Sequence, residues 1–250
     1  MTVLRRRLIA SSLLAAVLSC ASFRSQAPAD AAARPSVEEI LSRYEEAIGG
    51  RAAWMKLTSR VSKGTIQIPS MENQGSVESY EKAPNKTLSI VTIGGAVYEQ
   101  GFDGRVAWAR DPRGAVRELS GADFEDAKRN AVFAQPLKLR TLFPKMSLIG
   151  SDSASGGDSY VIEATPSRGK PQKMYFDSKT GLLVRQVIWH TTADGDQAID
   201  DVLQDYSSID GVKVPLTVQQ RTGQSTLVIH LTEVKHNVEI ADTKFAKPAR

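Results

Sequence analysis

Between Val61 and Lys235 the chain alternates apolar and polar positions with a period of two, interrupted once by helical spacing. Residues 61–69, 75–83 and 86–93 predict successive antiparallel strands. Gly94-Gly95 turns the chain into 96–102. Asp103-Gly104 then predicts a hairpin into 105–110, because glycine accepts positive φ at little cost. Asp111 to Gly114 makes another turn before 116–119. After Pro144 the alternation resumes in MSLIGSD, followed by SYVIEATP from Ser159. Strands at 173–176 and 182–191 flank the turn from Asp177 to Gly181, and 198–207 pairs with 212–221 across Ile209-Asp210-Gly211. The last strong strand is 226–235, and the tail from Asn237 is irregular, with Phe245 as its anchor. These runs amount to about ten strands with hairpin-length connections.

The interruption is Leu119 to Pro144. Ser120 can cap a helix whose apolar positions Phe124, Ala127, Ala131 and Val132 share one side. Pro136 fits a second start, followed by Leu137, Leu139, Leu142 and Phe143 before Pro144 stops it. Such a helical hairpin must bury its apolar side, and the sheet is its partner, either as a plug or as a lid over a ligand cavity. A further helix opens the domain. Ser36 and Glu39 form a capping box; Val37, Ile40, Leu41, Tyr44 and Ile48 share a face, and Gly49-Gly50 ends it. Ala53, Trp54 and Leu57 follow in a short turn onto the body.

The first twenty residues are of a different kind. Arg5, Arg6 and Arg7 precede a short apolar run from Leu8 to Leu18, the pattern of a secretory signal and too short to span a bilayer. Its end, Val17-Leu18-Ser19-Cys20, looks like a bacterial lipobox, in which Cys20 is acylated; simple cleavage after Ala21 or Ala27 is the alternative. Residues 21–35, with two prolines, read as a flexible tether, leaving 36–250 as one domain. Without the three signal arginines the formal charge of +4 becomes +1, so charge gives no support to a nucleic-acid partner. Cys20 is the only cysteine, so the domain relies on its core rather than on disulfides or a cysteine metal site.

Helices confined to the front and middle of an antiparallel meander define a mainly β, α+β class. A meander this long must curl or close to protect its edges, which favours a barrel or a strongly curved sheet. Chemical motifs are few. His190, His230 and His236 have no paired metal spacing, and read as sheet-surface or pocket-edge residues. Asp152, Asp158, Asp194-Gly195-Asp196 and Asp200-Asp201 lack the ordered spacing of a calcium loop and read as solvated turns. No nucleophile elbow or phosphate loop occurs. No catalytic residue, metal or cofactor is therefore assigned. What remains is apolar: Trp108, Phe124, Phe133, Leu142, Phe143, Ile162, Phe176, Trp189 and Leu231 are placed toward the interior. They fill a core or line a cavity for an acyl chain. The second option needs no motif, since each buried methylene contributes ~0.8 kcal/mol by itself.

Several stretches resemble bacterial envelope proteins of the LolA/LolB lipoprotein-sorting superfamily. They are YEEAIGGRAAWMKLTS (Tyr44 to Ser59), GFDGRVAWARDP (Gly101 to Pro112), ADFEDAKRNAVF (Ala122 to Phe133), YFDSKTGLLVRQ (Tyr175 to Gln186), DYSSIDGVKVPLTV (Asp205 to Val218) and VEIADTKFAKP (Val238 to Pro248). The resemblance implies an incomplete, strongly curved antiparallel β-barrel with a helical plug and an apolar cavity for acyl chains. It implies a non-catalytic, monomeric lipid or lipoprotein carrier, or an acceptor if Cys20 anchors it to the membrane. Ala21 after Cys20 favours the outer membrane, facing the periplasm. The rivals are an envelope hydrolase using a carboxylate pair in the barrel, and a structural accessory of an envelope complex.

Overall fold

The computed structural model describes residues 34–71, 73–153, 157–192 and 195–249; Cys20, the signal segment and nearly all of the tether lie outside them. Helix α1 spans Val37–Ala47, and the capping box forms. Ser36 Oγ accepts the Glu39 N–H at 3.2 Å, and the Glu39 carboxylate accepts the Ser36 N–H at 2.6 Å. That pairing holds the Glu39 carboxyl below its usual pKa, the Ser36 backbone bond being the main cause. Gly49 ends the helix at φ 107°, and a Cβ there would meet the Gly211 carbonyl oxygen at 2.1 Å. Only glycine allows that approach. Helix α2 (Arg51–Trp54) then drops Trp54 into the core, its Nε1 donating to the Ile48 carbonyl at 3.1 Å.

The strands follow in chain order. β1 (Ser59–Ile68), β2 (Asn73–Lys82), β3 (Lys86–Ile93), β4 (Ala96–Phe102), β5 (Ala107–Arg110) and β6 (Val116–Glu118) form the first meander. Helices α3 (Gly121–Asn130) and α4 (Leu139–Leu142) interrupt it. A second meander comprises β7 (Lys145–Asp152), β8 (Ser159–Thr165), β9 (Gln172–Asp177), β10 (Leu183–Thr192), β11 (Gly195–Ile209), β12 (Val212–Thr222) and β13 (Ser225–His236). The thirteen strands exceed the total of about ten, although each falls on one of the runs read from the sequence. All lie in one curved, open antiparallel sheet of order β6-β5-β4-β3-β2-β1-β13-β12-β11-β10-β9-β8-β7. The incomplete, strongly curved barrel is thus what the chain forms. Its two meanders are joined where β1 pairs β13, with a bulge at Lys63/Gly64. A Cβ on Gly64 would meet the His230 carbonyl oxygen at 2.1 Å.

Register defines two faces. Met174, Gln186, Asp201 and Gln220 stand opposite one another across β9 to β12. The same face continues through Val218, Ile229, Ile66 and Gly75 to Ile93, Ala96 and, along β4, Phe102. It is the inner face, where the helices pack. Phe124, Ala127 and Ala131 of the α3 region sit on Phe102, Ala107 and Ala109, with Phe102 and Phe124 edge-to-face at 6.1 Å. Tyr44 of α1 meets Phe176 edge-to-face at 5.2 Å. The expected α3 face is present, but Ser120 makes no side-chain cap bond. The second helical piece is split: a 3₁₀ turn over Gln135–Lys138 precedes the single turn of α4.

The outer face is covered at one end by the tail. Phe245, in a 3₁₀ turn spanning Asp242–Phe245, packs with Val61, Leu88, Trp108 and Ile240. Trp108 Nε1 donates to the Phe245 carbonyl at 3.0 Å. Gly101, opposite Trp108, leaves room for its ring: a Cβ would come within 2.5 Å of the indole.

Candidate functional site: cavities under the helical plug

Two cavities of about 420 and 340 Å³ lie between the inner face and the helical segment. They share walls at Tyr44, Asn130, Gln135, Pro136, Leu183 and Gln186. Asn130, the last residue of α3, also touches a third, of about 580 Å³, over β3 to β6. Each volume lies in the range of small-molecule sites, roughly 300–1,000 Å³. The fold places the plug here because Ala134 adopts a left-handed φ of 54° between α3 and the 3₁₀ turn, folding the two pieces back over the sheet.

The walls are mixed. The 420 Å³ cavity takes its apolar lining from Leu139 and Phe143 of the plug with Met174 and Leu183 of the sheet. Its polar lining is Asp126, Arg129, Lys170, Gln172, Gln186, His190, Asp201 and Gln220. Arg129 pairs with Asp126, and its guanidinium lies 5.8 Å from the Phe143 ring centre. Lys170 pairs with Asp196. Asp201 is buried and accepts the Gln186 side-chain amide at 3.0 Å and that of Gln220 at 2.9 Å.

The 340 Å³ cavity is bounded by Trp54, Leu57, Phe133, Leu203 and Val214, with Arg60, Glu81, Lys213 and His236 at its polar end. Arg60 Nη2 donates to Glu81 at 2.5 Å, and His236 Nδ1 lies 3.0 Å from Asp210. Tyr44 stands on the wall common to both cavities, and burial pushes its hydroxyl pKa above the usual tyrosine range. Burial does the same for Tyr206, whose hydroxyl donates to the Leu183 carbonyl at 2.6 Å.

The nine apolar residues picked from sequence are dispersed. Phe133 lines the 340 Å³ cavity, Phe143 and Trp189 the 420 Å³ one, and Leu142 a separate groove beside α3. Trp189 is 44% exposed, and its register opposite Ala198 gives it the parity of the outer face. Ile162 and Phe176 are sealed in the main core. Phe124 packs on Phe102. Trp108 lies on the outer face beneath the tail. Leu231 stands opposite Gly64 beside the central bulge. The polar group around Asp201 was not picked. Its one sequence signal is a polar residue at an inner-parity position on each of three neighbouring strands. The histidines stay apart, and among the described residues no group of three His, Cys, Asp or Glu could hold a metal. Among them, too, no helix is long and apolar enough to cross a membrane.

This architecture recurs in solved structures. A LolA superfamily protein from Nitrosomonas europaea matches over 85% of this chain and 98% of its own, with a TM-score of 0.59 and 14% identity. A DUF1329 family protein from Desulfovibrio piger matches over 83% and 95%, with a TM-score of 0.55 and 16% identity. A putative outer membrane lipoprotein-sorting protein domain from Vibrio parahaemolyticus matches over 84% and 94%, at 0.52 and 14%. No protein-family model and no curated protein matches the sequence. The chain has the LolA-like fold.

Proposed function

We propose that this protein is a non-catalytic lipid- or lipoprotein-binding carrier or acceptor of the bacterial envelope, monomeric, holding acyl chains under its helical plug. The observation that carries the reading is the pair of adjoining cavities, the 420 Å³ one lined in part by Leu139, Phe143, Met174 and Leu183 and the 340 Å³ one by Trp54, Leu57, Phe133 and Val214. At ~0.8 kcal/mol per methylene, ten buried methylenes contribute roughly 8 kcal/mol before association costs, enough for binding without any charged contact. The fold shared with the Vibrio lipoprotein-sorting domain supports the same reading. In it, the signal segment exports the chain and acylated Cys20 tethers it to the outer membrane through residues 21–35.

Native mass spectrometry of purified protein after exposure to extracted bacterial lipids tests the binding function. One or more bound acylated species are expected; a spectrum with apoprotein alone would sink it. Anchoring is tested separately by metabolic labelling with an alkyne fatty acid. Label is expected on the full chain and absent from Cys20→Ser.

A further inference from the structure

Asp200 and Asp201 are neighbours in sequence with opposite fates. Asp200 is held by Arg185, whose Nε and Nη2 donate to it at 2.7 and 2.9 Å. Asp201 points the other way, is 6% exposed, lines the 420 Å³ cavity and has no cation within salt-bridge distance among the described residues. A carboxylate taken out of water without an opposite charge is costly, and two neutral amides compensate it only in part.

The remaining charges on that cavity wall are already matched. Arg129 is paired with Asp126 and Lys170 with Asp196, and His190 is exposed at the strand end. After those pairings, the negative charge of Asp201 is left over. The glutamines fix what can answer it. Each turns its amide N–H toward Asp201, the orientation that avoids setting oxygen against oxygen, so its carbonyl oxygen is directed elsewhere. Among the described residues neither carbonyl has a hydrogen-bond partner. Asp201 and the two glutamines thus stand side by side on three adjacent strands, in a cavity that Leu139 and Phe143 also line. A buried carboxylate with no cation beside it complements a positively charged group that carries N–H donors.

We propose that this cavity selects amphiphiles with a primary ammonium head, which pairs with Asp201 while the alkyl chain lies against Leu139, Phe143 and Met174. The proposal rests on the acyl-chain reading and adds the head group to it.

Binding of four ligands with equal chains separates the two: dodecylamine, dodecanol, dodecanoate and dodecyltrimethylammonium, titrated below their micelle concentrations by calorimetry. The expected result is dodecylamine tighter than dodecanol and dodecanoate by about tenfold or more. Dodecyltrimethylammonium, having the charge but no N–H, is expected to be weaker than dodecylamine. Asp201→Asn should erase the preference while keeping the dodecanol affinity, and Asp200→Asn should leave the preference intact. Equal or tighter binding of dodecanoate, or of the trimethyl compound, overturns the proposal, as does a preference that survives in Asp201→Asn. If Asp201→Asn fails to fold, the four-ligand comparison on the native chain decides alone. If no ligand binds at all, the acyl-chain reading itself fails and the head-group proposal with it.

Discussion

The two covered regions of the sheet differ in how completely they are filled. Under the tail, Phe245 is fully buried and Trp108 is 2% exposed, each touching side chains from strands distant in sequence. Under the helical plug, the same sheet leaves two adjoining cavities. The reason lies in what each face offers. Beneath the tail, Val61, Leu88 and Trp108 are apolar and meet apolar residues, so the space closes. Beneath the plug, Gln186, Asp201 and Gln220 interrupt the apolar surface. An apolar plug pressed onto them would strand polar groups, so room remains. A segment in the chain itself can be matched residue by residue; a visitor needs space and a few polar contacts.

Breaking the sealed region should have the largest effect. Phe245→Ala removes a fully buried ring and is expected to cost about 3–5 kcal/mol in chemical denaturation. Dodecyl-chain binding should persist at temperatures where the variant stays folded. Filling the open region should do the converse. Leu203→Trp, on the wall of the 340 Å³ cavity, is expected to weaken acyl-chain binding measured by calorimetry, with overpacking costing at most about 1–3 kcal/mol of stability. Ser36→Ala takes away the α1 cap, remote from both regions, and should cost about 1 kcal/mol without altering ligand binding.

The smallest effect concerns pH at the tail. Lys82 and Lys86 pull the Asp242 carboxyl down from 3.8 to about 2. A carboxyl with its folded value depressed stabilises the folded form above its unfolded value, and that contribution fades as pH falls toward about 2. Acidification between those limits should therefore loosen the tail, read as a small change in tryptophan fluorescence. Asp242→Asn should remove that step; an unchanged acid transition in the variant would disconnect it from the tail.

Much of the scaffold was legible because its signals are local. The Ser36–Glu39 box, the Asp103-Gly104 hairpin and the Asp177 to Gly181 turn each depend on residues a few positions apart. Phe245 was legible as an anchor because nothing else in the tail is as large. The side of the sheet taken by Trp108 was not. Alternation fixes parity but does not say which parity faces inward, and the answer depends on Gly101 across the register. Nor was the Asp201 cluster legible, since Gln186 and Gln220 lie 15 and 19 positions away on different strands. Only pairing brings the three together.

The junction of β1 with β13 carries a consequence for biogenesis. Each half is a run of nearest-neighbour hairpins that can form as the chain emerges during synthesis, whereas the seam between them joins Arg60 to His236. Until the final strand has arrived, two separate ribbons expose their inner borders to any stray partner. A chain cut short before Ser225 would never gain its central zipper, and aggregation rather than partial activity is its expected fate.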